Sequence, residues 1–254
     1  EWYETLGDEL LADGYTMCES DPCVFYKILE DGSFCIVSIY VDDGLQLGKN
    51  GASLQNEFER LLKRFKISDY RDADYLLSIS KETIGNGTII HQSNYTKSIL
   101  EEMQMWDDDI TKNTRPSPMA VNYRYNPNIT RLDKKQNTLY RSMVMKLSYL
   151  SQQTRADITY AVNVLTQYQE KPTTGEWKAL IHILRYLKGT WDFGLYYKRT
   201  NKSDITILTN EDVLPVEHEP HGYADASFAN EDNRKSRSGY LFFMSGAIVS
   251  WMSK

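Results

Sequence analysis

One stretch constrains this chain more than any other. From Phe34 to Leu47 an apolar, β-branched run reaches two adjacent aspartates, Asp42 and Asp43, breaks at Asp43-Gly44, and returns as a second short apolar run. Asp-Gly between two such runs is a strong short-range hairpin signal, because its residues accept the backbone angles a tight turn requires. The sequence therefore predicts both carboxylates at the tip of an antiparallel hairpin, turning at Asp43-Gly44, with pairing between residues near Ile39 and Gln46. Successive strand residues face opposite ways, but a turn relaxes that rule, so both side chains can reach one cavity. Carboxylate oxygens are hard ligands that suit Mg²⁺. Mg²⁺ pairs held in this way drive in-line phosphoryl transfer. The bland reading of the same residues is a solvated hairpin tip.

Around this hairpin the hydrophobic periodicity alternates between strand and helix. Residues 2–13 read as a helix with Trp2, Leu6 and Leu10 on one stripe, stopped by Gly14. A strand follows from Cys23 to Ile28. Leu54, Phe58, Leu61, Leu62 and Phe65 mark an amphipathic helix whose other face carries Glu57, Glu59, Arg60, Lys63 and Arg64. Two short strands are expected within 67–90 around Gly85-Asn86-Gly87, then a helix to about Met105 capped by Ser93 or Asn94. From Arg115 to about Lys135 the chain is polar and aperiodic, and reads as a linker. Three helices are expected next. Tyr140, Met143, Val144, Leu147 and Leu150 mark the first. Ile158, Ala161, Val162, Leu165 and Tyr168 mark the second. The third opens on the capping box Thr173-x-x-Glu176 and stops at Gly189. Strands are expected at 194–197, 205–208, 221–225, 238–243 and 247–251.

Composition narrows the partners less than its distribution does. The 254 residues allow one large domain or two small ones, and the formal charge of −6 argues mildly against nucleic-acid binding. That charge is uneven: from Lys171 to Lys202 seven basic residues face only Glu176 and Asp192. A nucleic acid, if bound, is expected along that stretch. No run of eighteen apolar residues is present, so no membrane span is expected. Cys18, Cys23 and Cys35 match no metal-site spacing and read as reduced thiols of an intracellular protein. Glu1 in place of Met points to a chain that continues upstream.

Tyr40-Val41-Asp42-Asp43 resembles the Tyr-x-Asp-Asp box of reverse transcriptases. Further segments extend the likeness to the polymerase of copia-type (pseudoviral) retrotransposons. Ser20-Asp21-Pro22-Cys23-Val24-Phe25 is similar to that family's Ser-Asp-Pro-Cys-Leu-Phe segment. Tyr140-Arg141-Ser142-Met143-Val144 and Thr154-Arg155-Ala156-Asp157-Ile158 resemble its Tyr-Arg-Ser-Leu-Val and Thr-Arg-Pro-Asp-Ile signature. Leu184 through Thr190 matches the helix that follows. Gly222-Tyr223-Ala224-Asp225-Ala226, with Ser238-Gly239-Tyr240 and Ser250-Trp251, resembles the start of the family's ribonuclease H domain.

The resemblance implies an α+β chain: an incomplete polymerase palm at 1–115 without its fingers, a linker at 116–138, a helical thumb at 139–190, and a truncated ribonuclease H-like sheet at 191–254. It places Asp42 and Asp43 at the catalytic, Mg²⁺-binding pair, Tyr40 near the primer end, and Asp225 at the first metal carboxylate of the ribonuclease H site. Lys178, Arg185 and Lys188 share a loose face of the thumb helix and are candidates for phosphate contact. The implied partners are an RNA/DNA primer–template, dNTPs and the rest of a Pol polyprotein. Departures accompany the match. The palm's third carboxylate lies upstream in the family, and further ribonuclease H acids lie downstream. Arg71 and Ser78 stand where the family usually has glycine, and Ala156 where it has proline. Two functions follow: a fragment of an RNA-directed DNA polymerase, inactive alone, or a non-catalytic remnant that at most binds nucleic acid.

Overall fold

The computed structural model describes all residues except 1, 49, 68–72, 107–108, 110, 122, 127, 199–205, 209–212, 216–219, 228–235 and 245–246; side chains of 206–208 and 213–215 are also outside it. The fold is α+β, and every named strand pair is antiparallel. Two compact units divide at Ala73/Asp74.

In the first unit, β1 (Thr16–Met17), β2 (Val24–Ile28), β3 (Phe34–Tyr40) and β4 (Asp43–Gly48) form a meander in sequence order. Helix α1 (Trp2–Ala12) ends before Gly14, whose φ of +86° only glycine adopts cheaply. Helix α2 (Gly51–Leu62) is capped by Asn50, which accepts from the Ala52 N–H at 3.1 Å. Alternate residues of β3, Cys35, Val37 and Ile39, are buried with Leu10, Tyr15, Phe25 and Leu29, and Leu6, Leu54 and Leu61 pack against them. The helical stripe on α2 is 54, 57, 58 and 61. Leu62 is therefore exposed, and Glu57, expected on the polar face, is buried. Its carboxylate accepts from Lys27 Nζ at 3.1 Å, pairs with Arg60 at 3.0 Å, and accepts from the Tyr15 hydroxyl at 3.3 Å. Asp31, in the β2–β3 turn, accepts from the Ser33 hydroxyl and N–H, the Ser53 hydroxyl and the Asn50 amide. These donors, Ser33 foremost, hold its carboxyl far below the ordinary range and tie the turn to α2.

The second unit joins segments that are distant in sequence. β5 (Tyr75–Leu76), β6 (Ile79–Ile84) and β7 (Gly87–His91) form a meander, and β8 (Gly194–Lys198) pairs along β7. The crossing needs Gly194, where a Cβ would lie 2.4 Å from the Ile90 carbonyl. Helix α3 (Ser93–Glu102) is not capped by Ser93 or Asn94. Gln92 holds the cap position, and Ser93 Oγ lies 2.6 Å from His91 Nδ1. Ile99 and Leu100 of α3 share one core with α4 (Lys134–Gln153), α5 (Thr159–Thr166) and α6 (Thr174–Gly189). The capping box of α6 is present, with the Thr173 N–H donating to Glu176 at 2.7 Å. Thr206–Leu208 (β9) pairs with Val213–Pro215 (β10). β11 (His221–Ser227), β12 (Arg237–Met244) and β13 (Ala247–Ser253) form a last sheet. It is fastened to the helices by the Trp251 indole N–H, which donates to the Ser151 carbonyl at 2.7 Å, and by Arg237, 5.1 Å above the Tyr160 ring.

The polar stretch after Arg115, expected as a linker, is a strap on these helices. Met119, Tyr123 and Leu132 pack on the core, Tyr123 Oη donates to Glu176 at 2.7 Å, and Arg131 bridges Thr173. Aromatic and aliphatic anchors at irregular spacing hold it, which is why no periodicity announced them.

The sequence reading also missed a buried charge. Arg155 is 1% exposed. Its guanidinium forks onto Asp157 at 2.9 and 2.8 Å, and donates to the Thr190 carbonyl and hydroxyl, both at 2.7 Å. Tyr186 donates to the same carboxylate at 2.7 Å. Burial alone would raise the Asp157 carboxyl, but Arg155 and Tyr186 hold it below its ordinary value. Within the motif Thr154-Arg155-Ala156-Asp157 the ion pair thus ties the 3₁₀ turn Ala156–Ile158 to the end of α6.

Two outcomes are expected. Asp157→Asn leaves a buried guanidinium without its counter-charge and should cost about 3 kcal/mol in denaturant unfolding. A depressed folded-state carboxyl stabilises above its unfolded value and loses that contribution as pH falls through the folded one. The wild-type advantage over Asp157→Asn should therefore shrink only below about pH 4. Ser78 has φ +61°, directly after Leu77 at φ +51°. Ser78→Gly should add about 1 kcal/mol of stability, read as a higher Tm, while Ser78→Ala should not.

Candidate active site

The hairpin forms, but its turn lies two residues earlier than Asp43-Gly44. Tyr40 pairs with Asp43, Ile39 with Gly44, and Val37 with Gln46, leaving Val41 and Asp42 as the two-residue loop. Positive φ occurs at Val41 (φ 55°) and not at Asp42, the pattern of a type II′ turn. The inward alternation of Cys35, Val37 and Ile39 excludes a one-residue slip, which would expose that row. A turn at Asp43-Gly44 would keep the same residues inward, so burial of the row does not choose between the two turns. Asp42 sits in the turn, and Asp43 opens β4.

Cross-strand partners share a face, so Asp43 and Tyr40 project from the side of the sheet opposite the core. Tyr26, Ile28, Phe34 and Leu47 are exposed on the same open side. Tyr40, Asp42 and Asp43 are thus brought together, and all three are exposed. Trp2, expected on the buried stripe of α1, is 50% exposed. Its indole Nε1–H donates to the Val41 carbonyl at 2.9 Å, and its ring meets Phe65 edge-on at 5.6 Å. Only the fold could reveal that contact, since nothing in the spacing pairs residues 2 and 41.

The donor set suits Mg²⁺ in type and accessibility. Mg²⁺ takes one or two carboxylates from a protein and fills its remaining positions with water and substrate phosphate. An exposed aspartate pair at a rigid tip offers hard oxygens with open space beside them. Among the described residues, no group of three or more His, Cys, Asp or Glu is arranged to hold a metal ion.

Asp225 belongs to the second unit. It lies on the edge strand β11 opposite Gly239, exposed, its carboxylate accepting from the Ala226 N–H at 2.9 Å. Tyr223, Leu241, Phe242, Met244 and Val249 leave apolar surface exposed on that sheet.

The three basic candidates on α6 separate. Lys178 is exposed, and Arg185 is half-buried. Lys188 is 3% exposed, so it does not offer its charge to a phosphate backbone. It continues the inner row Leu180, Leu184, and lies near enough to Asp109 to help lower that carboxyl, behind Thr111 and Lys112. The strap meets the same side of α6 at two points, where His182 Nε2 lies 3.0 Å from the Ser117 carbonyl and Gly189 abuts Thr114, while Lys178 stays exposed.

A different cationic surface takes its place. Between Lys112 and Lys146 the sequence has eight basic residues and Asp133 as its single acid. Lys112 and Lys146 pair with Asp109 and Glu102. Arg124, Arg131, Lys134, Lys135 and Arg141 are exposed, without an ion pair among the described residues. A count over that window would have found them. Reading the stretch as a linker hid them.

Residues 1–119 match the family described as reverse transcriptase (RNA-dependent DNA polymerase). The whole chain is 32% identical to the retrovirus-related Pol polyprotein from transposon RE2 of Arabidopsis thaliana, and covers 16% of it. It is also 32% identical to the Pol polyprotein from transposon TNT 1-94 of Nicotiana tabacum, of which it covers 18%. An uncharacterized mitochondrial protein of Arabidopsis thaliana is 28% identical over 85% of this chain and 81% of its own length. No solved structure gives a significant match. The chain thus spans under a fifth of the two polyproteins it matches. With the aspartate hairpin inside the matched segment, and the likeness to both polyproteins running the full length, the chain belongs to the copia-type reverse transcriptases.

Proposed function

We propose that this chain supplies the aspartate-pair hairpin of an RNA-directed DNA polymerase, acting on a primer–template and dNTPs within a longer Pol polyprotein. The observation that carries the reading is the tip itself: Asp42 in the two-residue turn and Asp43 at the start of β4, both exposed, at the end of a packed sheet. Asp42 and Asp43 would hold Mg²⁺, with Asp42 the firmer ligand. The bound metal would stabilise the attacking and leaving oxygens of an in-line displacement at phosphorus. Tyr40, on the same open face as Asp43, would line the primer end. In this reading the first unit is palm, α4–α6 are thumb, and β11–β13 open a ribonuclease H-like sheet that carries Asp225.

Phosphate contact shifts from Lys188 of α6 to the strap and the first turns of α4. Arg124, Arg131, Lys134, Lys135 and Arg141 meet the requirement that buried Lys188 does not: exposure, with no ion pair among the described residues. Lys134 and Lys135 occupy the first turn of α4, where cations oppose the helix dipole. Their placement therefore serves binding better than it serves helix stability. No helix among the described residues is long and apolar enough to cross a membrane.

The 254-residue chain is expected not to extend a primer on an RNA template when Mg²⁺ and dNTPs are supplied, because two carboxylates alone do not position two metals. Template-directed synthesis that vanishes in Asp42→Asn would show instead that another residue of this chain completes the site. Binding of a labelled RNA–DNA hybrid, followed by anisotropy, should weaken steeply with salt. Neutralising Arg131, Lys134 and Lys135 together should reduce the log–log salt slope by about 3. An unchanged slope would place the contact elsewhere. No binding by the wild type would remove both the polymerase reading and its alternative, a non-catalytic remnant that binds nucleic acid.

A further inference from the structure

The turn that carries Asp42 sits in a backbone conformation its residues do not favour. Val41 has φ 55°, and a β-branched side chain in that region is a true outlier. Glycine is the residue that the first loop position of a type II′ turn calls for. Strain of this kind persists only where surroundings over-determine it. Most of what surrounds Val41 is solvent, since it is 72% exposed. One contact does reach it from outside the hairpin: the Trp2 indole N–H donates to the Val41 carbonyl at 2.9 Å, across 39 residues of sequence. Trp2 is itself braced, its ring edge-on to Phe65 at 5.6 Å, beyond the end of α2. A side chain from the first turn of α1 is thus clamped by the chain that follows α2 and grips the peptide group preceding Asp42.

We infer that Trp2 is a positioning residue for the carboxylate pair: its indole N–H pins the Val41–Asp42 peptide and so fixes where the Asp42 carboxylate is presented to a metal ion. The inference rests on the reading of Asp42 and Asp43 as metal ligands. The peptide unit between Val41 and Asp42 is the pivot of a type II′ turn. Rotating it changes ψ at Val41 and φ at Asp42, turns the type II′ form toward type I′, and swings the carbonyl away. A hydrogen bond on that carbonyl opposes the rotation. A glycine at position 41 would remove the strain and with it the need for the bond.

The test uses the 254-residue protein with Mn²⁺ alone as probe, following paramagnetic broadening of the Asp43 and Gly44 amides. Trp2→Phe keeps a ring against Phe65 but has no N–H. It should weaken Mn²⁺ binding about two- to tenfold, the range that the net worth of one hydrogen bond converts to. Val41→Gly placed on Trp2→Phe should restore binding to near the wild-type level. A merely structural loss would lower Tm and would not be rescued by a glycine at the turn. In the wild type the indole N–H should exchange with water more slowly than that of a free tryptophan. Mn²⁺ affinity unchanged by Trp2→Phe, or failure of the glycine to rescue it, would overturn the latch while leaving the metal site standing. No Mn²⁺ binding in the wild type, or binding that survives Asp42→Asn with Asp43→Asn, would overturn the metal reading and this role with it.

Discussion

The burial of one row of side chains, Cys35, Val37 and Ile39, against the helices of the first unit governs which way the hairpin presents its side chains. A strand has period two, so once that row faces inward, Tyr40 and Asp43 must face outward. The same row excludes odd register slips across the hairpin, and Val41 and Asp42 are the two residues left to turn. Each buried side chain of this size contributes about 1.5–3 kcal/mol relative to exposure. A strained loop residue costs about 1–3 kcal/mol. Three buried residues are enough to offset one strained valine in the turn at Val41–Asp42, although a turn at Asp43-Gly44 would keep the same residues inward.

Two strained turns in this fold share a solution. Val41 and Leu77 are bulky residues at positive φ, and the carbonyl of each accepts from an aromatic side chain on a distant helix: Trp2 at 2.9 Å and Tyr149 at 2.5 Å. An aromatic donor suits the task because its ring is held by packing, so little side-chain freedom is lost in presenting the N–H or O–H. In the second turn Ser78 follows Leu77, also at positive φ, at the position where the copia-type resemblance leads one to expect glycine.

Much of this architecture was legible in the sequence because it rests on local periodicity. Helices α1 and α6, the strands β3, β11 and β12, and the Thr173–Glu176 capping box fall where spacing placed them, while α4 starts at Lys134, inside the expected linker. The failures came where tertiary packing decides. Glu57 reads as polar surface, but it shares the helical row of Leu54, Phe58 and Leu61, and two cations plus a tyrosine make its burial tolerable. Lys188 belongs to the same inner row as Leu184 and Leu180. The strap after Arg115 is held by Met119, Tyr123 and Leu132 at no regular interval. Pairing of β8 with β7 joins residues about a hundred positions apart, which no window can see. At the site, Tyr40, Asp42, Asp43 and Asp225 were recognisable by motif. Trp2 needed the fold, whereas the exposed basic residues from Arg124 to Arg141 were countable in the sequence and were hidden by reading that stretch as a linker.

The central claim is that the tip of the β3–β4 hairpin is a metal-binding pair rather than a solvated turn. Titrating the ¹⁵N-labelled chain with Mg²⁺ tests it most directly, because every backbone amide reports separately. The account predicts saturable shifts confined to residues 40–45, abolished when Asp42 and Asp43 are both changed to Asn. Shifts spread along the acidic face of α1, or none at all at the hairpin, would contradict it.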